Sequence, residues 1–163
     1  MAGPRRTSSA RSGWHDLDAD QARAGQTPIG GLVIDASAMV KAAITDHLDD
    51  LGRFALHGPT LLWSEAASAL SQLRWRGEIS AEAAVAALTR ILAHPVDVTE
   101  SRDLVARAST ISGELGWAKT YDAEYLALAE RLGLRLLTDD ARLRRTAAAG
   151  VSIVSPLEVL GPD

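Results

Sequence analysis

Leu32-Val33-Ile34-Asp35 is the stretch on which the reading of this chain turns. Three aliphatic side chains in succession cannot alternate between water and core, so the run reads as a short strand buried on both faces, the habit of parallel sheets. A carboxylate at the carboxyl end of such a strand sits where ligands bind in open α/β sheets. Working outward, the spacing predicts helices over 37–44 and 46–56, a Gly58-Pro59 break, and a brief strand or turn at 60–62. A helix over 64–76 is closed by Gly77, and Ser80 caps an alanine-rich helix that His94-Pro95 stops. Residues 96–99 alternate like a strand. Ser101 and Thr120 cap two further helices, the first striped with Leu104, Val105, Ala108, Ile111 and Leu115, the second with Tyr125, Leu126, Ala129 and Leu132 up to Gly133. Strands at 135–138 and 151–154 flank a helix over 139–149, and a helical turn at 156–160 ends the chain. Short apolar strands alternating with helices indicate an α/β fold: a three-layer sandwich with a central, mostly parallel sheet of four to five short strands flanked by helices.

The first 30 residues differ from the rest. They are rich in Ser, Gly, Arg and Asp, lack helical periodicity and end in Pro28-Ile29-Gly30-Gly31, so they read as a flexible N-terminal extension to one domain over 31–163. With 163 residues the chain can bury a core without staples, and it has no cysteine, which excludes disulfides, thiolate metal sites and cysteine nucleophiles. Its longest unbroken apolar run, from Ala83 to Leu88, is too short for a bilayer. The opening residues carry charge without a following apolar run, so no secretory leader is read there, and a cytoplasmic protein without membrane contact is expected. Net charge is −4, with 15 of the 17 basic residues arginine. Bulk electrostatics therefore leave the partner open, although arginine's planar fork suits phosphate.

Several acids occupy positions that acids usually avoid. Asp35 ends the first strand. Glu65 shares the apolar stripe of its helix with Ala69 and Leu73, and Asp122 shares a face with Tyr125, Leu126 and Ala129. Asp139 and Asp140 follow Leu136-Leu137-Thr138, again beyond a strand's carboxyl end. Each position singly is compatible with ordinary helix capping. Gathered in one pocket they repel: two charges ~5 Å apart at an effective dielectric of ~20 cost roughly 3 kcal/mol. A cation or protonation must offset that. An all-oxygen donor set without histidine selects hard ions, Mg²⁺ with Mn²⁺ able to substitute, over zinc. His15, His47, His57 and His94 show no ligand spacing.

Four segments carry a family resemblance: Val33-Ile34-Asp35-Ala36-Ser37-Ala38, Trp63-Ser64-Glu65-Ala66-Ala67-Ser68-Ala69-Leu70, Tyr121-Asp122-Ala123-Glu124-Tyr125-Leu126-Ala127-Leu128-Ala129 and Leu136-Leu137-Thr138-Asp139-Asp140-Ala141-Arg142-Leu143. In order and spacing they resemble the four acidic motifs of PIN-domain ribonucleases, above all the VapC-type toxins of bacterial toxin–antitoxin pairs. The resemblance spans roughly residues 32–160. It implies a catalytic quartet of Asp35, Glu65, Asp122 and Asp140, with Asp35, Asp122 and Asp140 as metal ligands and Ser37 and Thr138 as supporting hydroxyls. The family's last motif selects Asp140, while the duplication leaves Asp139 as a candidate second ligand. It further implies Mg²⁺-dependent cutting of RNA to 5′-phosphate and 3′-hydroxyl ends, a homodimer, and a VapB-type antitoxin partner.

Cations must flank an acidic site that takes RNA. Arg74, Arg76, Arg142, Arg144 and Arg145 are candidates, and a solvated helix face explains them equally well. Trp63, Trp75 and Trp117 could stack on a base, but core or interface packing is the commoner role. Other classes remain beside the nuclease: a PIN scaffold that binds RNA or protein without catalysis, a housekeeping RNA-processing nuclease, or a DNA flap nuclease. A phosphoryl-accepting receiver needs a lysine after a late strand, and neither Lys41 nor Lys119 is so placed; a dehalogenase-type phosphatase needs an acid where Ser37 stands.

Overall fold

A computed structural model of the chain describes residues 28–146 and 150–161. The predicted extension thus lies almost wholly outside the described residues, as does the end of the helix expected over 139–149. The elements run β1 (Gly31–Ile34), α1 (Ala36–Ile44), a 3-10 turn (Asp49–Arg53), β2 (Ala55–Pro59), α2 (Leu61–Trp75), α3 (Ala81–Ala93) and β3 (Asp97–Thr99). They continue with α4 (Arg102–Glu114), α5 (Tyr121–Leu132), β4 (Arg135–Leu137), α6 (Ala141–Arg144), β5 (Ile153–Val154) and α7 (Pro156–Leu160).

The five strands are all parallel, in the order β3-β2-β1-β4-β5. Leu32, Val33 and Ile34 of β1 and Leu136 of β4 are wholly buried, as a central parallel strand pair requires. The chain builds outward from β1 through β2 to β3, then returns on the other side of β1 as β4. That reversal leaves a crevice beyond the carboxyl ends of β1 and β4, where parallel sheets place ligands. Helices α1, α2 and α3 pack on one another, and α4 packs on α5, which lies against β1, β2 and β4. In α5 the run from Ala123 to Ala129 is buried except at Glu124, so this helix is gripped on most of its circumference.

Two expectations change. The helix predicted over 46–56 is a 3-10 turn followed by β2, and the strand or turn at 60–62 is the start of α2. Leu48 and Leu51 imitate helical spacing because both anchor the turn in the core. Leu56, however, pairs with Leu32, and the ladder to β1 is worth more than a short polar helix. Gly58 reads as a breaker but serves close packing: a Cβ there would stand 2.8 Å from Leu62 Cδ2 of α2. Ser101 and Thr120 stand at their helix starts without side-chain capping bonds; the Ser101 hydroxyl instead accepts from Arg131.

Candidate functional site

The crevice is built from β1 outward. Asp35, extended and directly after β1, is the N-cap of α1, its Oδ1 accepting from the Ala38 amide at 2.9 Å and from the Ser37 hydroxyl at 2.8 Å. Its Oδ2 accepts from the Thr138 hydroxyl at the end of β4. The Asp35 amide bonds Leu137 O, so the two strand ends are sewn together by backbone as well as side chain. Ser37 Oγ in turn accepts from the Asp139 amide, and Thr138 Oγ1 from the Asp140 amide. The loop carrying the last two acids is therefore suspended from the two hydroxyls that orient Asp35.

The other acids come from helices. Glu65 lies on α2, where its Oε2 accepts from the hydroxyl of buried Tyr125 at 2.7 Å. Asp122, on the first turn of α5, takes a bond from the Arg142 guanidinium. Asp140 caps α6, its Oδ1 accepting from the amides of Arg142 and Leu143 at 2.6 and 3.2 Å. Asp35, Glu65, Asp122 and Asp140 all line one cavity of about 200 Å³, with Ser37 and Tyr125. Asp139 does not join them. It lines a different hollow, with Lys41, His47 and Arg144, because successive residues of an extended turn face opposite ways.

Burial governs the electrostatics. Asp35 is 5% exposed, and desolvation pushes its carboxyl up to about 6, against the pull of the Thr138, Ala38 and Ser37 donors and with added repulsion from Asp122. Glu65 is raised as well, first by burial and then by the charges of Asp122 and Glu124, while the Tyr125 hydroxyl opposes the rise. Tyr125 is held strongly in its protonated form by burial and by Glu65, so it remains a donor.

Among the described residues no group of three or more acidic, His or Cys side chains is gathered closely enough to hold a metal ion. The donor set still fits Mg²⁺, which takes only one or two carboxylates and keeps several waters. The cavity offers oxygen ligands alone, and the Asp122 charge adds only a minor repulsion to the burial that raises Asp35.

Of the five arginines singled out from sequence, the structure brings Arg142 to the acids. Arg74 and Arg76 end α2, the latter paired with Glu78; Arg144 lines the Asp139 hollow, and Arg145 closes α6. Tyr125's bond to Glu65 and the approach of Lys119 and Tyr121 to the site escaped the sequence reading. One signal was available for the tyrosines: they stand one residue before and three after Asp122, the latter on its helical face.

The PIN-domain family model matches residues 32–149, a span containing all four acids and β1 through α6. The chain belongs to the PIN-domain family. Ribonuclease VapC3 of Mycobacterium tuberculosis is 36% identical over 125 residues, covering 73% of this chain and 89% of that protein. PAE2754 from Pyrobaculum aerophilum, a solved structure, has a TM-score of 0.62 at 28% identity and covers 80% of this chain and 91% of its own. VapBC2 from Rickettsia felis, solved bound to a DNA fragment from the promoter, has a TM-score of 0.56 at 12% identity over 77% of this chain and 98% of that one, a likeness of fold. The five-stranded parallel sheet of this PIN domain extends past the matched span, since β5 pairs with β4 beyond it.

Proposed function

We propose that this PIN domain is a divalent-metal-dependent endoribonuclease that acts as the toxin of a toxin–antitoxin pair. The observation that carries the reading is the convergence of Asp35, Glu65, Asp122 and Asp140, from four elements, on one cavity at the switch point of the sheet. Asp35, Asp122 and Asp140 would hold Mg²⁺ or Mn²⁺, which when bound lowers the pKa of water and neutralises charge on the scissile phosphate. Asp140, not Asp139, is the fourth acid in this reading, because it shares the cavity. Ser37 and Thr138 fix the Asp35 oxygens. Glu65, whose partial burial raises its affinity for a proton, accepts the proton of the attacking water. The water oxygen bonds to phosphorus as the bond to the 3′ oxygen breaks, and the departing oxygen takes a proton from solvent, giving a 5′-phosphate and a 3′-hydroxyl.

The relatives' names, each a VapC ribonuclease, support RNA as the substrate. Exposed Trp75 at the end of α2 and Val85 and Leu92 on α3 offer apolar surface for an antitoxin or a second copy, and a cytoplasmic location follows from the toxin role. The test is cleavage of end-labelled RNA by the purified chain. Activity should require Mg²⁺ or Mn²⁺, stop in EDTA, and fall at least about a thousandfold in Asp35→Asn and in Asp122→Asn, a loss of roughly 4 kcal/mol of transition-state stabilisation. Unchanged metal-dependent cleavage in both variants rejects the assignment.

A further inference from the structure

A second hollow, of about 470 Å³, adjoins the acids: Glu65 and Asp122 line both, and Trp117, Lys119, Tyr121 and Arg142 complete its wall. Its composition is unlike that of the surrounding surface. The body beyond residue 30 holds 13 basic and 18 acidic side chains, yet two cations stand together here. The Arg142 guanidinium lies 4.8 Å from the centre of the Trp117 ring, which holds the fork in place while one nitrogen bonds Asp122. Its side chain is 52% exposed, and a guanidinium has five donors, so one carboxylate does not exhaust it. Tyr121 opens α5 directly before Asp122 and is 55% exposed. An aromatic ring open to water beside a cation pair is not core packing. Together these groups supply what single-stranded nucleic acid needs, a π-face for a base and forked cations for the backbone.

We infer that this hollow is the subsite for the nucleotide flanking the scissile phosphate, with Tyr121 stacking on its base and Arg142, steadied by Trp117, and Lys119 binding its phosphate. A volume of 470 Å³ is within the range of small-ligand sites and admits one nucleotide. The inference rests on the nuclease reading, because it takes RNA as the substrate of the adjoining acids. It also names a selectivity element: stacking on Tyr121 favours the bases with the larger π-faces.

The test separates binding from cleavage. The Asp35→Asn chain is titrated in Mg²⁺ into a fluorescein-labelled single-stranded RNA of about ten nucleotides, followed by anisotropy, with a gel of the same samples recording whether the RNA stays intact. Cutting in the gel speaks against the nuclease assignment, whereas the subsite is judged by the binding curves alone. Added to that background, Tyr121→Ala and Arg142→Gln should each weaken binding roughly tenfold, the usual worth of one stacked base or forked contact. Tyr121→Phe should bind within about twofold of its parent, since the ring and not the hydroxyl stacks. Arg142→Gln should also flatten the salt dependence by about 0.7 in log–log slope, as loss of one phosphate contact on a single strand requires. Arg102→Gln removes an exposed cation that lines neither hollow and sets the effect of charge alone. Tyr121→Ala binding as tightly as its parent, or Arg142→Gln losing no more than Arg102→Gln, overturns the proposal.

Discussion

The two ends of the acid cavity are held in opposite ways. At the β1–β4 end, Asp35 is 5% exposed and receives three hydrogen bonds, two from the first turn of α1 and one from Thr138, which is itself wholly buried. At the α5–α6 end, Asp122 is 32% exposed and its side chain pairs with Arg142, which is 52% exposed. The first end is firmly held because two of the three bonds to Asp35 are buried, where an unmade one is expensive. The second can exchange partners, because water competes for each group and screens the pair. In the proposed nuclease the first end would fix one carboxylate and the second would release its cation to an arriving phosphate.

The widest gap between the ends should appear in the pH dependence of folding. Folded Asp35 titrates near 6 against an ordinary 3.8, so the folded state binds the proton more tightly than the unfolded one. Stability from this group is then fullest below about pH 4 and is lost as pH rises through about 6. Urea denaturation in EDTA should show Asp35→Asn gaining on the native chain by about 2 kcal/mol between pH 4 and pH 7. A pH-independent difference between the two would show that Asp35 is not desolvated in solution.

Thr138→Val is a smaller perturbation of the same rigid end. It removes the donor to Asp35 Oδ2 and the acceptor of the Asp140 amide while nearly preserving shape. We expect a loss of about 2 kcal/mol at pH 7, the scale of a buried bond to a charged group, with a further rise in the Asp35 pKa, measured by chemical denaturation at several pH values. Serine at the same position should recover most of it. The smallest effect belongs to the open end: Arg142→Gln should alter the melting free energy by less than about 1 kcal/mol. A larger drop would mean that the Asp122 pair is a structural clamp and would remove the contrast between the ends.

How far the residue order foretold these features depended on how local each cause is. The β1 run, the Ser80 and Ser155 helix starts and the Gly133 stop were legible because the deciding contacts lie within a few residues: Ser80 accepts from the Ala83 amide and Ser155 makes a full capping box with Glu158. The 46–56 segment misled because its apolar spacing satisfies a helix, and its actual state is set by hydrogen bonds to β1, more than 20 residues away. The stripe positions of Glu65 and Asp122 marked them as inward-facing, whereas Asp140 was preferred to Asp139 only through the family's last motif, with Asp139 left open as a second ligand.

Pattern and composition alone determined the parallel α/β class and offered five acids as oxygen donors, with the family resemblance choosing four, since periodicity and donor type are properties of short stretches. Tertiary structure decided that those acids meet in one cavity, that Asp139 turns to another, and that Arg142 lies between Asp122 and Trp117. Those outcomes depend on how β4 returns beside β1 and how α5 and α6 approach each other, through contacts 20 to about 100 residues apart along the chain. Distances of that kind are fixed by packing and burial, which no local stretch encodes.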